Sequence, residues 1–238
     1  MKMSQNNPFL KLSVLALLII GATTFFVLKS DSLNGPRTAE AQVQQIVDRG
    51  FDTSQSLYIA EETASIKAEL DDRLARFLDG RERTVLNLLD AARSVRDLRD
   101  YDQALALFAV ADTMNPQDLF YKIDVGRIYL ERQQWEGARA VFEPMKVTWP
   151  VHEAYLGLAE AYKHIEGTPE YVIDQIYEES LYRHDNNFEV AQAYVEWLEA
   201  TDREDKTLKY YEIMNRINPQ PILEQKIADL KAKYPNVN

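Results

Sequence analysis

The sequence predicts an all-α protein: an N-terminal single transmembrane helix followed by an α-solenoid of four to five helix-turn-helix repeats with a C-terminal capping helix. Three observations carry that expectation. An uncharged run fills Leu12 to Leu28. Prolines recur at a spacing near 34 residues, at Pro116, Pro150 and, two periods further on, Pro219. The composition, 46% apolar and 27% charged with eight glycines in 238 residues, is that of a globular chain that leans helical.

Residues 1–11 read as a short N-terminal tail. Residues 12–28, LSVLALLIIGATTFFVL, are just long enough to cross ~30 Å of hydrocarbon at ~1.5 Å per residue and so read as a transmembrane helix. A cleaved secretory signal is the competing reading, but its apolar region runs about 7 to 15 residues with a small-x-small cleavage site close behind. Here the stretch ends FFVLKSDS, and Ala39-Glu40-Ala41 lies well past it. Residues 29–50, with Asn34-Gly35-Pro36 at a polar, turn-forming centre, read as a linker and pre-repeat segment. The α-amino group and Asp31 weigh toward the N-terminus inside, which puts the folded body outside the cytoplasm.

Self-similarity then organises the rest of the chain. In residues 119–152 the sequence runs Val125-Gly126-x-x-Tyr129, then Trp135, then Ala138-x-x-x-Phe142, then Pro150. Residues 85–118 keep the same frame through Ala92, Tyr101, Ala104, Phe108, Ala111 and Pro116. Residues 153–187 offer Leu158-Ala159-x-x-Tyr162, Tyr177 and Ser180, with an insertion at Gly167-Thr168-Pro169 and Asp185 in the proline place. Residues 188–221 keep Tyr211, Met214 and Pro219. Small residues at Gly126, Ala104 and Ala138 let the two helices of a unit approach, while Tyr129, Phe108 and Phe142 fill the space between units. The prolines stop the second helix of each unit.

These motifs resemble the tetratricopeptide repeat, and the chain is similar to membrane-anchored members of that family. The resemblance implies a protein-binding scaffold or adaptor of a cell-envelope assembly, set in a bacterial inner membrane through residues 12–28. One unit cannot bury its apolar face alone, so neighbours stack and the ends are atypical. Residues 222–234 read as the terminal capping helix, with Pro221 at its first turn and Ile222, Leu223, Ile227 and Leu230 on one stripe. Residues 51–84 read as a degenerate first repeat or helical lead-in, with Ile66, Leu70, Leu74, Phe77 and Leu78 as its apolar stripe. A short coiled coil over residues 57–80 that pairs two chains, making the protein a self-associating structural component and a homo-oligomer, is the alternative for the same stripe.

Charge narrows the function classes. The net charge is −11, and Lys2, Lys11 and Lys29 are the only charged residues among the first thirty, so the body is more acidic than the whole chain. Such a body repels nucleic acid, which needs clustered Lys and Arg on phosphates. Zero cysteines exclude thiolate chemistry and cysteine metal sites. No HExxH, Gly-rich phosphate loop, GxSxG elbow or EF-hand loop occurs, and His152, His164 and His184 form no i, i+4 pair. No catalytic residue, metal or cofactor is expected, and the chain reads as a non-enzyme whose partners are proteins, either peptide segments or subunits of a membrane complex.

In the tetratricopeptide family, ligands contact the second, fifth, ninth and twelfth positions of each first helix. By that register the resemblance implies Leu86, Leu89, Arg93 and Arg96 in one unit and Phe120, Ile123 and Arg127 in the next. In the later units the register falls on acidic residues, Glu160 and Glu196 among them. This is a groove with an apolar and basic half suited to an acidic or C-terminal peptide. The same pattern is also met by stacked helices that only alternate solvated charges.

Overall fold

Thr38 starts the first helix by accepting a hydrogen bond from the Ala41 backbone N–H at 3.2 Å. Glu40 follows in the first turn, where the helix dipole favours an acid. This helix, α1 (Ala39–Arg49), buries Val43 and Ile46 and ends at Gly50, whose φ of 73° glycine adopts without a Cβ penalty. The computed structural model describes residues 38–116 and 119–235. Residues 39–49, which the sequence assigns to the linker and pre-repeat segment, are thus helical.

The chain continues through α2 (Ala60–Leu78), α3 (Val85–Asp97), α4 (Tyr101–Met114), α5 (Phe120–Glu131) and α6 (Trp135–Thr148). Then come α7 (His152–His164), α8 (Glu170–Arg183), α9 (Phe188–Ala200), α10 (Leu208–Ile217) and α11 (Pro221–Lys233), with a 3-10 turn at Glu204–Lys206 before α10. The described residues contain no strand.

The expected fold class needs a correction. Among the described residues no helix is long and apolar enough to cross a membrane, so what the structure supports is an all-helical fold without the transmembrane element. The longest helix, α2 with 19 residues, carries Glu61, Glu62, Lys67, Glu69, Asp71, Asp72, Arg73 and Arg76, and hydrocarbon does not accept that density of charge. The expected span at residues 12–28 lies outside the described residues.

Two compact units divide the chain, one ending at Ile128 and the other beginning at Tyr129, with the boundary inside α5. In the first unit α3 packs between α2 and α4, and α1 lies against both α2 and α4. Leu70, Leu74, Phe77, Leu88, Leu107 and Phe108 form its core. Leu70 and Leu74, the residues of the coiled-coil alternative, are buried inside the same chain. Asp100 joins two parts of this unit: its carboxylate caps α4 through the Gln103 N–H at 3.3 Å and accepts the Asp52 N–H at 2.8 Å. The segment between α1 and α2 is thereby tied to the start of α4.

In the second unit α6 packs on α7, α7 on α8, and α10 on both α9 and α11. The close approach of α6 and α7 needs Gly157, which lies against the Phe142 ring. Gly137 likewise sits against Tyr129, whose ring a Cβ would meet at 2.8 Å. The rings of Tyr177 and Tyr194 stack at 4.9 Å between α8 and α9. Asp174 accepts from the Trp197 indole at 3.1 Å and from the Arg203 guanidinium at 2.6 Å, fixing α8 to α9 and to the turn that follows. Leu223 and Leu230 bury α11, while Ile222 stays exposed.

The turns within successive helix pairs share a corner. Arg99, Gln133, Gly167 and Asp202 have φ of 66°, 57°, 77° and 56°, and they stand 34, 34 and 35 residues apart. Each closes the turn after its preceding helix in the left-handed region, which for Arg and Gln is uncommon. The prolines show the same period in the sequence.

Candidate partner-binding surface

Two helices of the first unit, α3 and α5, carry most of the residues that the register selects. Thr84 caps α3 by accepting the Asn87 N–H at 3.2 Å, and the buried Asn87 amide donates to the Arg73 and Glu82 carbonyls at 3.0 and 3.2 Å. These bonds fix how α3 rotates about its axis. Leu88, Ala91, Ala92 and Val95 then face the core, and Leu86, Arg93 and Arg96 lie on other faces. Leu89 follows the core residues inward, at 3% exposure, and offers a partner no surface.

Arg93 and Arg96 converge on one internal carboxylate. Arg93 Nε donates to Asp124 Oδ2 at 2.9 Å, and Arg96 Nη1 donates to Asp124 Oδ1 at 2.5 Å. Arg93 also reaches Asp90 at 3.1 Å, and Arg96 reaches Asp97 at 2.9 Å. The Asp124 side chain on α5 is only 9% exposed, and a carboxylate so placed is stable because two guanidiniums face it. Asp90 is also held by Arg73 at 3.5 Å, so three guanidiniums and three carboxylates meet here and the cluster has no net positive charge left over for an acidic ligand. It fastens α3 to α5.

What remains open on this face is apolar and singly basic. Leu86 on α3 and Phe120 on α5, 34 residues apart, both keep 64% of their surface exposed. Ile123 is half-buried and Arg127 exposed, and Arg127 forms no ion pair among the described residues. Sequence reasoning missed Asp124. The signal was an acid set between the apolar Ile123 and Val125, about one period after Arg93 and Arg96.

In the second unit Glu160 on α7 pairs with Lys163 at 3.2 Å and with His164 at 3.0 Å. Burial alone would raise its carboxyl, but the Lys163 ammonium and the hydrogen bond to His164 more than offset it and hold the group below its ordinary value. Glu196 on α9 is exposed and accepts from the Gln192 amide at 3.0 Å. The structure therefore places Glu160 in a local charge pair and leaves Glu196 at the surface. Among the described residues no group of three or more His, Asp or Glu side chains is placed to hold a metal ion. A comparison with protein-family models and with curated proteins finds no match.

Proposed function

We propose that this protein is a binding scaffold of tetratricopeptide type, in which the face shared by α3 and α5 of the first unit holds a segment of another protein. The observation that carries the reading is the pair Leu86 and Phe120: two large apolar side chains, one period apart and both mostly in water, beside Arg127. Exposed apolar residues of this size at one register on the first helices of successive pairs suit a ligand with an apolar anchor. Arg127 adds a cation for an acidic side chain or a terminal carboxylate. In this reading Arg93 and Arg96 do not touch the ligand; through Asp124 they hold its two supporting helices in register.

The test is photo-crosslinking of the full chain in extract of its native cells, comparing wild type with a Phe120→Ser, Arg127→Glu variant and with a Lys209→Glu control on α10. Crosslinked proteins that disappear only in the double variant are the expected result. The same proteins in all three samples would show that the face between α3 and α5 is not the one in use.

A further inference from the structure

The turn between α8 and α9 passes through the left-handed region at two consecutive residues that carry side chains, Asp185 at φ 49° and Asn186 at φ 58°. Backbone in that region persists where its surroundings enforce it. The residue just before the pair is His184. Its ring lies edge-on to the rings of His152 and Tyr155 at 6.0 and 5.8 Å, and its Nε2 is buried with no hydrogen-bond partner among the described residues. The site takes this imidazole as a neutral ring and gives an added proton no acceptor.

The charges around His184 come from four helices. α7 presents His152, whose ring nitrogens lie 3.3 Å from Glu153 and 3.5 Å from Glu189 of α9. α8 presents Arg183, bonded to Glu179 at 2.9 Å. α6 presents Lys146, which reaches the same Glu179 at 2.9 Å and lies 5.5 Å from the centre of the Tyr155 ring. Tyr155 donates to Glu179 at 3.1 Å, and Asp185 stands exposed on the turn itself. The opposite end of the α8–α9 pair is fastened, because Asp174 holds both Trp197 and Arg203 there. Between the two ends lies the Tyr177–Tyr194 stack.

We propose that the α8–α9 turn is an acid-opened joint latched by the His152 and His184 rings: protonation of His184 parts the first turn of α9 from α8, leaves the Asp174 end closed, and uncovers the buried Val190 and Ala191. In the closed joint burial, together with His152 and Arg183, holds the imidazole below its ordinary value against the pull of Glu153. In the open joint the ring returns to water and to about 6.5. The closed form therefore keeps its full advantage above about pH 6.5 and loses it as pH falls through the closed-state value, by at most about tenfold per pH unit. The joint belongs to the second unit and does not depend on the function proposed for α3 and α5.

The experiment is amide hydrogen exchange of the full-length chain at pH 7.5 and 5.5, with rates corrected for the intrinsic effect of pH. The reporters are the His184 and Asn186 amides, which bond the Ser180 and Leu181 carbonyls at 2.9 and 2.8 Å, and Ala191 at the start of α9. The control is the Gln134 amide, bonded to the Tyr129 carbonyl at 2.8 Å in the turn before α6. Protection at the three reporters should fall by about threefold to tenfold in acid, with Gln134 unchanged. His184→Phe, which keeps a ring without a proton to gain, should abolish the fall. His152→Phe, which leaves the buried imidazole in place and removes the cation facing it, should shrink the fall, and it carries the test alone if His184→Phe does not fold. No fall at the reporters, an undiminished fall in either variant, or an equal fall at Gln134, which marks loss of the whole unit, would overturn the proposal.

Discussion

Gly157 of α7 lies so close to the ring of Phe142 on α6 that any β-carbon at that position would collide with it. Both residues are buried, so neither has solvent to move into. Gly157→Ala is expected to destabilise the second unit by about 1–3 kcal/mol through overpacking. Phe142→Leu, by contrast, relieves the crowding, so the double variant should lose less than the two single losses added. Urea unfolding of the three variants measures this, and strict additivity would show that the contact does not limit the approach of α6 and α7.

The clamp on Asp124 makes a different prediction. Asp124→Asn keeps the size of the side chain but removes the charge that both arginines face, and should lower stability by about 2–3 kcal/mol. Arg127→Glu, on the exposed side of the same helix, should stay within about 0.5 kcal/mol of wild type. Chemical denaturation separates the two. If both variants match wild type, Arg93 and Arg96 are not what joins α3 to α5.

Leu70 and Leu74 separate an internal core from an intermolecular seam. Either residue changed to Asp would bury an unpaired charge in the first unit and should unfold that unit, a loss of roughly 3–5 kcal/mol or more. Circular dichroism together with sedimentation distinguishes the cases. A variant that keeps its helix content and only changes its oligomeric state would return these leucines to a contact between chains.

His184 sets an acid limit on the second unit. Its imidazole is pushed below its ordinary value of 6.5, first by burial and then by His152, with Glu153 pulling the other way and Arg183 adding to the depression. The His152 and Tyr155 rings lie edge-on at 6.0 and 5.8 Å, and Nε2 is buried without a hydrogen-bond partner. Since the folded value lies below the unfolded one, the contribution is complete above the unfolded value of about 6.5 and is lost as pH falls through the folded value. His184→Phe keeps the ring contacts and should flatten the stability profile below about pH 6.5. An unchanged profile would place the acid sensitivity elsewhere.

How much of this was legible in the sequence depends on the range over which each feature is determined. The helix boundaries from α3 onward follow from nearby residues: Thr84, Asp100 and Asn187 as caps, Pro221 at a first turn, and apolar residues at helical spacing. Helix α1 was not legible, because eleven residues with buried Val43 and Ile46 as their apolar signal resemble a polar connector. Its stability comes from packing on α2 and α4, which local propensity does not report. The surface was legible only in part. Register placed Leu86 and Phe120 on an exposed face but could not show that Asp124 would lie under Arg93 and Arg96, since that meeting requires α3 and α5 to be packed first.

The four matching corners carry one more implication. Gly167 occupies its left-handed turn freely, but Arg99 and Gln133 hold the same geometry against the repulsion of their own β-carbons, at about 1 kcal/mol each. The chain therefore operates below the thermal ceiling that its own architecture permits, and an engineer seeking heat resistance would begin at those two bends and leave the core alone.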